Sequence, residues 1–294
     1  MATNFLCEFP VRYLQDKLHG VMKGDLIMVA AGTGVGKSSW SRMMVRQAVK
    51  EGVGTALYSL EDEAGTFAKK SVYRLYCAHT RDPMDYRVFK DILANQTDKF
   101  VKERQEVALE LYRKNAQGHR LFVTHEMKTP NWSLDEIMAQ MKEEIEKGYK
   151  LFILDHFDII AEDMPSAQKK AIDALWRFVS ENQIALITFS QLSGTRNKDA
   201  LCPSSDDLRG SKSKVQTPTI VISLARHSYD FYSAYRGKPT YCRILKDRDD
   251  GKIGCGVIFY DHDSYLDSYL EVDCNESGTR IHGITRKELE KQKG

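Results

Sequence analysis

"AAGTGVGKSSW", Ala30 to Trp40, decides how the rest of the chain is read. Its centre, Ala31 to Ser38, fits the phosphate-loop pattern G-x-x-x-x-G-K-[ST], with Ala31 replacing the first glycine. That position asks mainly for a small side chain, so alanine serves. The run before it, "DLIMVA", reads as a buried strand, and Trp40, Met43, Met44 and Ala48 then recur at helical spacing. Strand, glycine-rich turn and helix in this order aim backbone N–H groups and the positive end of a helix dipole at one point, as an anion requires. Gly32, Thr33, Gly34, Val35, Gly36, Lys37, Ser38 and Ser39 are therefore the expected nucleotide cradle. Lys37 neutralises the β/γ oxygens and Ser38 holds Mg²⁺. Such a loop alone does not distinguish a kinase, a GTPase and a motor.

The 294 residues are enough for a large core, and 42% hydrophobic with 29% charged residues fits an ordinary globular protein. With 43 basic against 41 acidic residues the net charge is +2, so nucleic-acid contact must come from a local patch. Cys7, Cys77, Cys202, Cys242, Cys255 and Cys274 are scattered without metal-like spacing, as expected of free thiols in a reducing compartment. No signal peptide and no membrane-length apolar run is visible, so the expectation is a cytoplasmic protein with no membrane partner.

Working outward from the loop, "TALYSL", "RLFVTH", "KLFILDH", "IALITFS", "TIVISLA", "YCRILK" and "GVIFYD" read as further buried strands. Helical patterns separate several of them. Ser133 and Glu136 make a capping box ahead of Leu134, Ile137, Met138, Met141 and Ile145, and Gly148 stops that helix. Ile172, Leu175, Trp176 and Val179 mark another. The alternation predicts an α/β fold with a mostly parallel central sheet flanked by helices. Three strands with few helices between them predict an antiparallel edge in the C-terminal third. The expected organisation is one phosphate-loop domain over 1–270, with a charged helical excursion over 64–120, and a polar tail over 271–294.

Five further positions complete a possible site. Asp155 ends an apolar strand, as a carboxylate reaching Mg²⁺ through water does. Glu61, after "TALYSL", is either a base that polarises an attacking water or part of a solvated acidic turn with Asp62 and Glu63. Gln191 ends another strand, as a γ-phosphate sensor or an ordinary polar loop start. Lys246 and Arg248, two apart at a strand end, face the same way. They are either edge-strand surface charges or an arginine-finger pair for a neighbouring copy.

The ordered set "LHGVMKGDLIMVAAGTGVGKSSW", "ALYSLED", "LFILDH", "FSQLSGTRNK", "DLRGS", "IVISLAR" and "RILKDRDDG" resembles the ATPase domain of DnaB-type hexameric replicative helicases, phage helicase–primase proteins above all. It spans about Leu14 to Asp261 and implies a RecA-like P-loop NTPase. The resemblance assigns Lys37, Ser38 and Asp155 to nucleotide and metal, Glu61 to the base, Gln191 to the sensor, and Lys246 and Arg248 to the trans-acting pair. It implies a nucleotide-site role for Arg226 and base stacking for Tyr260. DNA-facing loops fall at about 162–168 and 193–210, with Arg196, Asn197 and Lys198 as phosphate contacts and Lys212 and Lys214 as outlying candidates. The implied cofactors are ATP or a dNTP with Mg²⁺. The implied partners are single-stranded DNA, further copies in a hexamer, and a separate primase, polymerase or loader, in a bacterial cytoplasm or phage-infected host. "DLRGSKSKVQTPT" lacks the family's acidic residue before the next strand. About a dozen residues precede the resemblance, so the linker helix is expected to be short or missing, with no collar and no zinc-binding primase module.

The leading expectation is an ATP-driven helicase on single-stranded DNA. The rivals are a RecA-like recombinase or regulatory ATPase that binds DNA without unwinding it, and a small-molecule kinase, which the want of an Arg-rich lid disfavours.

Overall fold

The computed structural model describes residues 4–60, 65–67, 69–71, 73, 85–95, 114, 118–126, 132–160, 164–192, 203–208, 212–226, 238–260 and 271–274, with backbone alone at 93, 226, 238, 239, 255–260 and 271–274. The strand that feeds the phosphate loop, β3 (Leu26–Ala31), is the pivot of a sheet built from the apolar runs. The other members are β4 (Thr55–Ser59), β5 (Phe122–Glu126), β6 (Leu151–Asp155), β7 (Ala185–Gln191), β8 (Ile220–Arg226), β9 (Lys238–Asp247), β10 (Gly254–Tyr260) and β11 (Glu271–Cys274). Among the described residues the sheet has nine strands in the order β11-β10-β9-β8-β3-β7-β6-β4-β5. From β5 across to β8 all pairings are parallel, and β9, β10 and β11 then pair antiparallel in turn. The mostly parallel sheet and its antiparallel C-terminal edge are thus as the sequence predicts. β11 carries the sheet to Cys274.

Strands buried on both faces explain why the runs are continuously apolar rather than alternating. Ile27, Val29 and Ala31 pack on one face with Trp40, Met44 and Val45 of α2 (Lys37–Lys50). Leu26, Met28 and Ala30 pack on the other. There they meet Ile137 and Met141 of one long helix and Ile172, Leu175 and Val179 of another.

The N-terminal residues belong to the first face. β1 (Phe5–Cys7) pairs antiparallel with β2 (Val21–Met22), and α1 (Arg12–Leu18) lies between them. Cys7, Val11, Leu14 and Val21 are fully buried in the same cluster as Trp40 and Met44. The Glu8 N–H donates to the Glu51 carboxylate at 3.1 Å, tying the segment to the far end of α2. Two- and three-residue strands carry no periodicity to read, so the sequence did not reveal this pairing.

Beyond α3 (Tyr86–Asn95), α4 (Leu134–Glu146) opens on the anticipated capping box, with the Glu136 N–H donating to Ser133 Oγ at 3.2 Å and the Ser133 N–H to Glu136 at 2.8 Å. Gly148, at φ 95°, ends that run. After the short α5 (Phe157–Ile160), α6 (Pro165–Asn182) starts with proline in its first turn. A four-residue helix, α7 (Ser213–Gln216), precedes β8. No helix of the described residues is long and apolar enough to cross a membrane.

Candidate active site

In an open α/β sheet, ligands bind beyond the carboxyl ends of the strands. Here β3, β4, β6, β7 and β8 all deliver those ends to one edge. Ala31 pairs with Gln191 on one side and Leu224 on the other, so Gln191 sits beside the entrance of the phosphate loop. Asp155 ends β6, the strand next to β7, about 10 Å and two strand spacings from β3. Ser59 lies opposite Asp155, and the Leu60 N–H donates to the Asp155 carbonyl at 2.8 Å.

The loop has the backbone its glycines foretold. Gly34 has φ 73° and Gly36 φ 117°, both in the range where an L side chain is strained. A Cβ on Gly34 would meet nothing within 4 Å, so conformation rather than space selects glycine there. Gly36 is the N-cap of α2; it offers no capping side chain, and no acidic residue occupies the first turn. The positive end of a fourteen-residue helix thus faces the loop without a competing carboxylate. Lys37 and Ser38 are half-buried at this end, while Thr33 is exposed and Val35 buried. Ser39 accepts a hydrogen bond from Arg42 at 3.0 Å. Trp40, fully buried and edge-on to Phe189 with centroids 5.9 Å apart, pins the helix to the sheet.

Asp155 is only 7% exposed, at the end of its strand and beside an equally buried His156. A hydroxyl at the start of α2 and a carboxylate at the same sheet edge are hard oxygen donors that fit a Mg²⁺ held mainly by nucleotide phosphates. Glu61 lies outside the described residues, as do Arg196, Asn197 and Lys198. The segment after Glu61 is fastened by Glu126, at the end of β5, which accepts the N–H groups of Gly65 and, at 2.8 Å, Phe67. Arg226 and Tyr260 end β8 and β10, and the register carries both to the phosphate-loop edge; their side chains are outside the described residues.

Lys246 and Arg248 are elsewhere. β9 runs against β8, so Lys246 pairs with Val221, and the Arg248 N–H donates to the Thr219 carbonyl at 3.0 Å. Five residues separate Thr219 from Leu224, placing Arg248 about 16 Å down the sheet from Ala31. There Lys246 Nζ donates to the carbonyls of Gln216 and, at 2.6 Å, Pro218, while Arg248 donates to those of Gln216 and Thr217 at 3.3 and 3.0 Å. Both cations cap the C-terminal end of α7, where helix carbonyls attract positive charge. Burial, helped by repulsion from Arg248, pushes the Lys246 ammonium down to about 8. Neither reaches the phosphate loop of its own chain.

One cluster escaped the sequence reading. Lys214 is fully buried and bonds the carboxylate of Asp158, on α5. Asp158 in turn accepts the Ser190 hydroxyl at 3.1 Å and the Gln191 N–H at 2.6 Å. This burial removes Lys214 from the candidates for DNA contact, whereas Lys212 is exposed. A lysine in "SKSK" looks like a solvated loop, and its partner lies 56 residues away, so no local pattern announces the pair.

The sequence family described as "DnaB-like helicase C terminal domain" matches residues 9–265. No curated protein sequence matches the chain. Among solved structures, one described as an "ATPase Domain" superposes with a TM-score of 0.71 at 15% identity, covering 92% of this chain and 93% of that one. "The Structure Of A DnaB-Like Replicative Helicase And Its Interactions With Primase" gives a TM-score of 0.70 at 17% identity, covering 90% of this chain and 62% of that one. At these identities the superpositions establish the shared fold.

Proposed function

Because the chain belongs to the DnaB-like helicase C-terminal domain family, whose members are NTP-dependent helicases, we propose that it spends ATP or a dNTP, with Mg²⁺, to travel along single-stranded DNA as a ring of identical copies, a hexamer. The observation that carries this reading is the split between the two ends of one sheet. The phosphate loop, Asp155 and Gln191 occupy the carboxyl edge, and Lys246 and Arg248 the opposite one. A lone copy has an unfinished pocket at one end and a cation pair at the other. A second copy set head to tail supplies what the first lacks.

In that seam Lys37 and the first-turn amides of α2 hold the β/γ oxygens, and Ser38 and Asp155 hold Mg²⁺, which neutralises developing charge when bound. Glu61 polarises the attacking water. Gln191 reports the γ-phosphate to the segment that follows it, where Arg196, Asn197 and Lys198 grip DNA phosphates. Arg226 and Tyr260 border the nucleotide. Arg248 leaves the Gln216 and Thr217 carbonyls to reach the neighbour's phosphate. Backbone contacts of this kind carry no sequence preference and weaken steeply with salt. A separate primase, polymerase or loader joins the ring in a bacterial or phage-infected cytoplasm.

The test is displacement of a labelled strand from a forked duplex, run beside hydrolysis with and without oligo-dT. Nucleotide-dependent displacement and DNA-stimulated turnover, both lost in Lys37→Ala, are expected. Stimulated turnover without displacement transfers the chain to the recombinase reading; turnover indifferent to DNA ends the motor reading altogether.

A further inference from the structure

The buried cluster behind Gln191 has more organisation than packing alone requires. Asp158 sits three residues after Asp155, on α5, with its carboxylate beneath the last two residues of β7. Its Oδ2 accepts the Gln191 N–H at 2.6 Å and the Ser190 hydroxyl at 3.1 Å. Lys214 Nζ donates both to Asp158 and, at 3.1 Å, to Ser190 Oγ, and lies 5.4 Å from the centroid of the Phe157 ring. An ammonium has only protons to give and a carboxylate only lone pairs. The Ser190 hydroxyl must therefore accept from Lys214 and donate to Asp158. The three groups close a triangle with a single polarity, and the Gln191 amide hangs from one corner.

We propose that Asp158 and Lys214 are positioning residues for nucleotide hydrolysis, fixing the backbone of Gln191, and hence its side chain, against the γ-phosphate. This rests on the sensor role given to Gln191 above. The pair joins three stretches that the chemistry must coordinate: the strand end carrying Asp155, the strand end carrying Gln191, and α7. The same α7 offers its last carbonyl, that of Gln216, to both Lys246 and Arg248. One short helix thus touches both the sensor's support and the cations lent to a neighbouring copy. A buried ion pair is a poor stabiliser compared with apolar packing of equal volume. That cost is repaid if the pair holds a catalytic group to the tolerance hydrolysis needs.

The experiment compares the full wild-type chain with Asp158→Asn, Lys214→Met, the double variant and Asp158→Glu. Four readouts are taken: hydrogen exchange at Gln191, unfolding temperature, affinity for a fluorescent non-hydrolysable nucleotide, and steady-state hydrolysis. Asp158→Asn is expected to speed exchange at Gln191 and lower kcat by about 10- to 100-fold, because misplacement by an ångström costs that much. Nucleotide affinity should stay within about threefold, since only the reacting end of the site is disturbed. The double variant, with no orphaned charge, should recover unfolding temperature but not kcat. Asp158→Glu keeps the ion pair, folds, and shifts the carboxylate by one methylene, so it should show the same selective loss of kcat. A double variant with wild-type kcat and a protected Gln191 amide makes the pair merely structural and overturns the proposal. If the wild-type chain hydrolyses nothing, the helicase reading falls on its own. Exchange at Gln191 then still decides whether Asp158 holds it, and unchanged exchange in both Asp158 variants overturns that.

Discussion

Mixing two dead variants tests whether the pocket is finished by a neighbour. On the proposed reading, Lys37→Ala removes the cation assigned to the β/γ oxygens, and Arg248→Ala removes the proposed finger, at a cost of about 10³–10⁵ in rate. Within one chain Arg248 is anchored at the level of Thr219, about 16 Å down the strands from the phosphate loop, so it cannot serve its own pocket. Each seam of the proposed head-to-tail assembly would take Lys37 from one copy and Arg248 from the next. In an equal mixture, about one seam in four pairs an Arg248→Ala pocket with a Lys37→Ala donor and is intact on both sides. The assay premixes the variants at low concentration, assembles them with oligo-dT, and reads single-turnover hydrolysis, so that firing order does not enter. Recovery to about a quarter of the wild-type amplitude is expected, far above either variant alone. A mixture no more active than the sum of its components refutes the shared pocket, as does Arg248→Ala turning over normally.

Other expectations concern single groups. Asp25, buried just ahead of β3, has its carboxyl raised to about 6, mainly by desolvation, against the lowering effect of bonds from the Met22 N–H and the Thr219 hydroxyl. The folded chain then binds more protons than the unfolded one between about pH 4 and 6, so stability falls as pH rises through that window and levels off above it, by at most about 3 kcal/mol. Asp25→Asn should flatten urea-melt stabilities across the window, and an unchanged slope counts against the assignment. Gly36→Ala forces a side chain into φ 117°, a strain of about 1–3 kcal/mol, and should weaken nucleotide binding by roughly tenfold while far-UV circular dichroism stays constant. Gly34→Ala, at φ 73° with open space around it, should cost less, about 1–2 kcal/mol; the reverse order in titration calorimetry would contradict this. The Cys7 thiol, fully buried and pushed up to about 12 by desolvation and by Glu51 and Glu8, should resist iodoacetamide at pH 8 until urea opens the chain, which peptide mapping will show.

The sheet was legible because strands buried on both faces must be apolar at every position, and runs such as "LFILD" can hardly be anything else. The phosphate loop was legible because glycine marks backbone that other residues avoid, at Gly34 and Gly36 alike. What stayed hidden depends on distant partners. Lys214 has the look of a surface charge until α7 folds it beneath β7 and Asp158 meets it there. Lys246 and Arg248 were visible as a pair, yet their distance from the loop follows from the antiparallel return of β9, which no local pattern encodes. β1 and β2 are too short for a period to register, and they find their place by burying Cys7, Val11 and Val21 against α2.

That last attachment links the N-terminal segment to the phosphate loop through a single helix. A helix of fourteen residues is a rod of about 21 Å. One tip of it meets the β1 segment through Glu8 and Glu51, and the other carries Lys37 and Ser38. On the proposed reading, a displacement of Glu8 would therefore act at one end of the same rod whose other end presents Lys37 and Ser38 to the nucleotide.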